Sequence, residues 1–231
     1  MIKRIINISY TFKLCNVYEM LYINLEGNVF MYKNIKYKSI DEQNDIAISI
    51  LKQNKELMSM LNYIEKLKLP NFYIAAGSIF QTIWNYYDNK PLNYRIKDID
   101  IIYFNKNDLS VETDLNYYKK IKEYSDKNHY NYEIDVSNEA RMHLWKKERF
   151  NIEVEPYISS EDAIDKWIAT VHSIGITKIN DLIKIYAPYG LSDIFSKTIR
   201  PIKHKYNSKE IYDKKAESWK NRFNNLNIIE W

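Results

Sequence analysis

The chain has 231 residues and a net charge of +4, with 45% hydrophobic and 28% charged residues. This balance is typical of a globular protein that is long enough to fold without disulfides. With only 4 Gly and 5 Pro, collagen-like and linker-rich proteins are excluded. The single cysteine, Cys15, favours a reducing compartment, and no apolar run reaches the roughly 18 residues of a membrane span. We therefore expect a cytoplasmic protein without signal peptide or membrane segment.

The first part of the chain predicts an extension followed by two helices. Residues 1–41, with β-leaning runs such as NVFMYKNIKY (28–37), are expected to form an N-terminal extension. Helical spacing of apolar residues predicts a helix over 45–69, which the polar KQNK at 52–55 divides in two. Pro70 is expected to end the second helix.

The central part predicts alternating strands and helices. The apolar runs FYIA (72–75), IDIIYF (99–104) and YEIDV (132–136) are typical of strands. Helices are expected after each of them: one with Ser78 as N-cap, one from Ser110 to about Lys127 with Leu115, Tyr118 and Ile121 on its inner face, and a short one at 138–145.

The following segment predicts mainly helix. Ser159, with Asp162 three residues later, resembles a capping box that starts a helix over DAIDKWIATVHSI (162–174). IKIYAP (183–188) predicts a strand, and GLSDIFSKTI (190–199) predicts another helix.

The C-terminal tail is strongly basic. Between Arg200 and Arg222 the chain has eight Lys or Arg against three acids, an excess larger than the whole chain's net charge. A final helix is expected at 208–223, with an inner apolar stripe of Tyr212, Ala216, Trp219 and Phe223. The positive charge makes this tail a candidate for RNA contact, although such runs are usually solvated helix faces.

This order of elements predicts an α+β (α/β-like) fold with a more helical C-terminal part. We expect a core over residues 42–201 and a basic helical tail over 202–231 packed on that core.

The strongest chemical signal is the pair Asp98 and Asp100. Alternate residues of a strand share a face, so both carboxylates point the same way, about 7 Å apart at Cα. Two carboxylates on one face suit Mg²⁺, which prefers oxygen ligands and leaves room for substrate phosphates. The apolar run follows these acids. In the acidic motifs of sugar transferases and phosphatases, the apolar run precedes the acids. The opposite order in this chain argues against these two classes of enzyme.

Gly77 and Ser78 stand about twenty residues upstream of this pair, where a strand turns into a helix. Helix N-termini bind phosphate through their free N–H groups, and Gly allows close approach. A third acid is needed because two metal ions require more ligands than two side chains supply. Glu133 and Asp135 share the face opposite to Tyr132 and Ile134; we favour Asp135 as ligand and base, and Glu133 stays the alternative.

Several sequence blocks together resemble a bacterial family of small nucleotidyltransferases in the polymerase-β superfamily. The blocks are AAGSIFQTIWN, DIDIIYFNKNDLS, NEARMHLW, EDAIDKWIAT and the AP-Y-GLSDIF-RP segment, within residues 42–201. The resemblance implies a nucleotidyltransferase fold, which is a mixed β-sheet flanked by helices, with Gly77, Ser78, Asp98 and Asp100 at a nucleotide and metal site. The resemblance does not identify the acceptor substrate.

Three residues of NEARMHLW are further candidates for nucleotide binding. Asn138 and Arg141 are spaced to share a helix face, and a guanidinium can clamp phosphate. His143 is a candidate base or hydrogen-bond partner near neutral pH. The alternatives are a structural histidine, and an ion pair of Arg141 with Glu139 or a nearby acid.

The sequence therefore predicts an Mg²⁺-dependent nucleotidyltransferase that uses one or two ions. Its NTP would bind at Gly77, Ser78, Asp98, Asp100 and Asp135, and its acceptor is an RNA, a protein or a small molecule. Two alternatives stay open: a catalytically inactive nucleotide- or RNA-binding module, and a toxin-like transferase that modifies tRNA.

Overall fold

The structure of the protein, a computed structural model, describes residues 35–231. The predicted β-leaning run at 28–37 lies outside the described residues except for its last three, and Cys15 lies outside them as well. No helix within 35–231 is long and apolar enough to cross a membrane.

Helices and strands alternate in the first half of the described chain, and short elements dominate the second half. The helices are α1 (Ile40–Leu51), α2 (Lys55–Leu67), α3 (Gly77–Tyr87), α4 (Val111–Lys127), α5 (Met142–Phe150, after a 3₁₀ turn at Glu139–Arg141), α6 (Ser160–Ile164), α7 (Ser192–Phe195) and α8 (Lys209–Lys220). The strands are β1 (Tyr73–Ala75), β2 (Asp98–Tyr103), β3 (Glu133–Asn138), β4 (Gly175–Ile179), β5 (Leu182–Tyr186), β6 (Thr198–Ile199) and β7 (Asn227–Ile228).

A five-stranded mixed sheet of order β3-β2-β1-β4-β5 forms the centre of the fold. β1 is antiparallel to both β2 and β4, β4 and β5 form an antiparallel pair, and β2 and β3 are parallel. The predicted mixed sheet flanked by helices is thus confirmed. Strand β4 was not expected from the sequence.

The two faces of the sheet have different environments. Ile99 and Ile101 of β2 pack into the main hydrophobic core, together with apolar residues of α1 to α4. The alternate residues Asp98 and Asp100 point to the opposite face, where β1 and β2 contribute only a small apolar cluster with Ile164. The main core therefore fills one face and leaves the carboxylates on the other.

Side-chain caps begin most of the helices, but α3 is an exception. Ser39, Asn54, Ser110, Ser159 and Ser208 accept a backbone N–H at the starts of α1, α2, α4, α6 and α8. The predicted Ser78 cap is wrong: α3 begins at Gly77, and the Ser78 hydroxyl donates to the Ala75 carbonyl at 3.3 Å. The turn is tighter than expected, because Ala76 takes φ 55° and ψ −122° and shortens the strand-to-helix passage.

The inner face of α4 differs from the predicted one. Leu115 and Tyr118 are exposed, while Asp114 and Ile121 are buried. The buried Tyr103 hydroxyl donates to Asp114 Oδ1 at 2.6 Å, which turns this polar position toward the sheet.

The helix predicted over 162–174 is also much shorter than expected. α6 ends at Ile164, because the following backbone pairs with the segment around Pro201 instead of continuing the helix. Thr170 N donates to the Arg200 carbonyl at 3.0 Å, and Ile202 N donates to the Ile168 carbonyl at 3.0 Å. A neighbouring strand-like segment thus competes with local helical hydrogen bonds.

Helix α8 packs against α3 through aromatic side chains. The Trp219 ring lies edge-on to Phe80 with centroids 5.5 Å apart, and Phe223 lies edge-on to Trp84 at 5.1 Å. The predicted inner stripe of this helix is buried, as expected from its spacing. This packing brings the C-terminal segment to the start of α3, beside Asp98.

Candidate active site

The predicted acids lie together on neighbouring strands. In the parallel β2–β3 pair, Asp98 is the register partner of Glu133, and Asp100 is the partner of Asp135. Adjacent strands are roughly 4.8 Å apart, and register partners point to the same face. We refer to Asp98, Asp100 and Asp135 as the acid cluster.

The negative charges of the acid cluster repel one another. Burial and the charges of Asp98 and Asp135 raise the pKa of Asp100 to about 7, and the ammonium of Lys215 opposes this shift. Glu133 shares this face but is the register partner of Asp98 and not of Asp100. Of the two candidate third acids, Asp135 is therefore the one whose charge acts on Asp100.

Within residues 35–231, the Asp, Glu, His and Cys side chains form no group of three that could hold a metal ion as they stand. The chemistry of the acid cluster nevertheless fits a divalent cation, because its donors are carboxylate oxygens. A cation would also relieve the repulsion that raises the pKa of Asp100.

The start of α3 lies directly beside the acid cluster. A Cβ at Gly77 would lie 3.7 Å from Asp98 Oδ1 and 2.7 Å from Gln81 Nε2. Gly77 therefore permits the first turn of the helix to approach the carboxylate closely. Ala76, in front of it, has a positive φ that L residues rarely adopt, a strain typical of functional turns.

Two cations of the C-terminal segment face the acid cluster, and the sequence did not single them out. Lys215 of α8 interacts electrostatically with Asp100 and Asp98. Arg222 interacts electrostatically with Asp98, and its Nη1 donates to Gln81 Oε1 at 3.1 Å. Only their place in the basic tail marked these residues in the sequence.

A further buried acid, Glu139, lies next to the cluster and was not among the predicted site residues. Glu139 is buried, with only 5% of its surface exposed. Burial raises its pKa to about 8; Lys146 opposes the shift, and the charges of Asp135 and Asp100 add to it. Its position directly after β3 is the signal that could have drawn attention to it.

The structure does not bring Asn138 to the acid cluster. Asn138 lies three residues after Asp135 on the same strand, so its side chain points to the opposite face. Its amide is engaged by backbone groups: Oδ1 accepts from Asn105 N and Ala140 N at 2.9 and 3.1 Å, and Nδ2 donates to the Asn105 and Asp108 carbonyls at 2.9 Å each. Asn138 ends a strand and does not share a helix face with Arg141.

Arg141 is likewise held by the protein. Its Nε donates to the Leu109 carbonyl at 3.2 Å, and its Nη1 lies 3.6 Å from Asp114 Oδ2. Both side chains of this ion pair are nearly buried. The partner is a nearby acid, as the alternative reading allowed, and it is not Glu139.

His143 is half-buried on α5. Among residues 35–231, its Nδ1 is buried without a hydrogen-bond partner. No hydrogen bond in this part of the chain joins the imidazole to the acid cluster.

Comparisons with known proteins identify the family and support the fold. The model of a family described as Nucleotidyltransferase matches residues 62–228, which include β2, β3 and α8. A solved NMR structure, described as revealing a CCA-adding enzyme head domain, is similar with a TM-score of 0.67 and 28% sequence identity. The similarity covers 87% of this chain and 100% of that one. The search among curated proteins found no match.

Proposed function

Because the chain belongs to the nucleotidyltransferase family, we propose that it transfers a nucleoside monophosphate from an NTP to a hydroxyl acceptor, with Mg²⁺ as cofactor. The observation that carries this proposal is the register of Asp100 with Asp135, beside Asp98 and the start of α3. Three carboxylates on one face, next to free helix N–H groups, match the charges of a metal-bound triphosphate.

Each group of the site has a role in this proposal. Asp98, Asp100 and Asp135 are the residues that would hold one or two cations. When bound, the metal supplies positive charge for the phosphate oxygens of the substrate. The N–H groups of Gly77 and Ser78 donate to phosphate oxygens at the start of α3.

The reaction is an in-line displacement at the α-phosphorus. The acceptor oxygen forms a bond to this phosphorus, the bond to the bridging oxygen breaks, and pyrophosphate leaves. Asp135 is exposed, so its carboxylate can reach an incoming hydroxyl and accept the proton that the hydroxyl loses.

An RNA 3′ end is the acceptor that we would test first. The similar structure is described as a CCA-adding enzyme head domain, which supports an RNA acceptor. Exposed lysines of the tail, such as Lys203, Lys205 and Lys209, supply charge for a nucleic-acid backbone. If the acceptor is instead a protein or a small molecule, the proposed roles of the acid cluster and of the start of α3 stay the same.

The proposal is tested by calorimetric titration of ATP, GTP, CTP and UTP, with and without Mg²⁺. We expect Mg²⁺-dependent binding that Asp98→Asn and Asp135→Asn each weaken strongly. Glu133→Gln, on the same face of the same strand, is the matched control and should bind like wild type. Binding that ignores both Mg²⁺ and the Asn variants would contradict the proposal and favour a non-catalytic binding module.

A further inference from the structure

The C-terminal segment adds a positively charged side to the acidic site. Trp219 and Phe223 pack on α3, so this segment is held at a defined place above the first turn of that helix. Lys215 lies one turn before Trp219, at the edge of the buried stripe of α8, and its side chain reaches toward β2. The position of this lysine is therefore set by the aromatic packing of the core.

Lys215 is oriented by His172, which is half-buried. The ammonium Nζ lies 3.2 Å from His172 Nε2, and the imidazole is packed between Trp167 and Trp219 with centroid distances of 5.2 and 5.8 Å. Burial lowers the pKa of His172 well below its ordinary value, so the ring is neutral and accepts from the ammonium. His172 is thus a positioning residue for Lys215.

Arg222 approaches the site from the other side of Trp219. Its Nη1 donates to Gln81 Oε1 at 3.1 Å and to the Arg95 carbonyl at 3.3 Å. The Gln81 amide lies over Gly77, so this bond directs the guanidinium toward the first turn of α3 and Asp98.

Among the described residues, the charges of Lys215 and Arg222 are not neutralised by a direct contact with the acid cluster. Within residues 35–231, Lys215 and Arg222 form no direct ion pair with a carboxylate, although both lie within electrostatic range of Asp98. Lys215 is exposed as a residue, while the burial of its side chain near His172 lowers the pKa of its ammonium. The site therefore has an acidic side on β2 and β3 and a basic side on the C-terminal segment.

We propose that Lys215 and Arg222 form a polyphosphate-binding wall that holds the β- and γ-phosphates of the NTP, with His172 positioning Lys215. This inference rests on the proposed function, since transfer requires the α-phosphate at the acid cluster and leaves the outer phosphates to the opposite side. Carboxylates repel phosphates, and Lys215 and Arg222 are the cations of the C-terminal segment that oppose this repulsion, in addition to any bound metal. The wall consequently makes the site selective for an NTP over the corresponding NMP.

The test compares the affinity for whichever NTP binds wild type with the affinity for its NMP, in Mg²⁺. Lys215→Gln should weaken NTP binding about 10- to 100-fold, the usual range for losing a charge-assisted hydrogen bond, and should leave NMP binding unchanged. Lys215→Arg should retain most of the affinity. Lys214→Gln, the exposed neighbour on α8, is the matched control and should bind like wild type. An unchanged NTP-to-NMP ratio in Lys215→Gln would overturn the inference.

His172→Phe tests the positioning role with the same ratio. It keeps an aromatic ring between the two tryptophans and removes the acceptor for Lys215. We expect a smaller ratio of NTP affinity to NMP affinity. A loss of stability alone would not change this ratio. Arg222→Gln should lower the ratio as well.

A second measurement separates failure of the wall from failure of the proposed function. Asp98→Asn/Asp100→Asn should bind inorganic tripolyphosphate in EDTA, because the repelling charges are gone and the wall remains. Adding Lys215→Gln should abolish that binding. If wild type binds no NTP but this pattern holds, the proposed function fails and the wall stands. If the double variant binds no tripolyphosphate, the wall is wrong.

Discussion

Asp100 and Asp135 are direct neighbours across the parallel β2–β3 pair, on the face of the sheet opposite to the main core. The backbone register sets their proximity. Burial, together with the charges of Asp98 and Asp135, raises the pKa of Asp100 to about 7. A site of this kind is unfavourable for the free protein and favourable for binding a cation.

Asp100→Asn should stabilise the metal-free protein at high pH. The folded-state pKa of about 7 lies above the ordinary value of 3.8, so wild type loses stability as the pH rises from about 4 to 7. Asn removes this loss. In EDTA we expect the variant to gain up to about 4 kcal/mol in free energy of unfolding at pH 8, and nothing at pH 3.5. Urea unfolding at both pH values measures the effect, and an equal change at both would contradict the electrostatic cause.

Asn138→Ala should reduce stability without a specific effect on nucleotide binding. Its amide satisfies four backbone groups in the loop after β2 and the turn after β3. Leaving these groups without partners should cost about 2–4 kcal/mol, as thermal or urea unfolding would show. Asn107→Ala, at an exposed position of the same loop, is the control. Loss of NTP affinity in a folded Asn138→Ala protein would return this residue to the nucleotide site.

Trp219→Ala should destabilise the whole described unit. The indole is buried against Phe80 and His172, so its removal leaves a large cavity and should cost about 3–5 kcal/mol. Thermal unfolding is the measurement, with the exposed Lys220→Ala as control. A loss below about 1 kcal/mol would mean that α8 is a detachable tail.

Gly77→Ala should impair NTP binding more than folding. The new methyl group would lie 2.7 Å from Gln81 Nε2, so Gln81 must move and its bond to Arg222 breaks. We expect about 10-fold weaker NTP binding, as for one lost charge-assisted hydrogen bond, and a change in stability within about 1 kcal/mol. Calorimetry and unfolding curves measure the two quantities. An Ala variant that binds like wild type would show that close approach at this turn is unnecessary.

The acids of β2 and β3 could be predicted because their signal is local. Alternation along a strand places Asp98 with Asp100, and separately Glu133 with Asp135, on one face, and the structure confirms both strands and both faces. The apolar residues between them identify the buried side. The register that joins Asp100 to Asp135 is a tertiary property, because it depends on how the helix between the strands packs.

Local patterns misled where distant segments compete for the same groups. Asn138 and Arg141 were expected on one helix face, but a loop and Asp114 engage them. The helix predicted over 162–174 ends early because its backbone bonds to residues near Pro201. In both cases the interaction partners lie far away in the chain. The periodic pattern of apolar residues carries information only about the few residues around it.

By itself, the sequence determined the alternation of strands and helices, the acid pair on one face of a strand, the Gly-Ser turn between a strand and a helix, and the amphipathic final helix. Each of these follows from neighbours within one or two turns of chain. Only the tertiary structure decided that Lys215 and Arg222 face Asp98 and Asp100, which lie far away in the chain. The packing of Trp219 on Phe80 brings them there, and that contact is determined by the shape of the folded core.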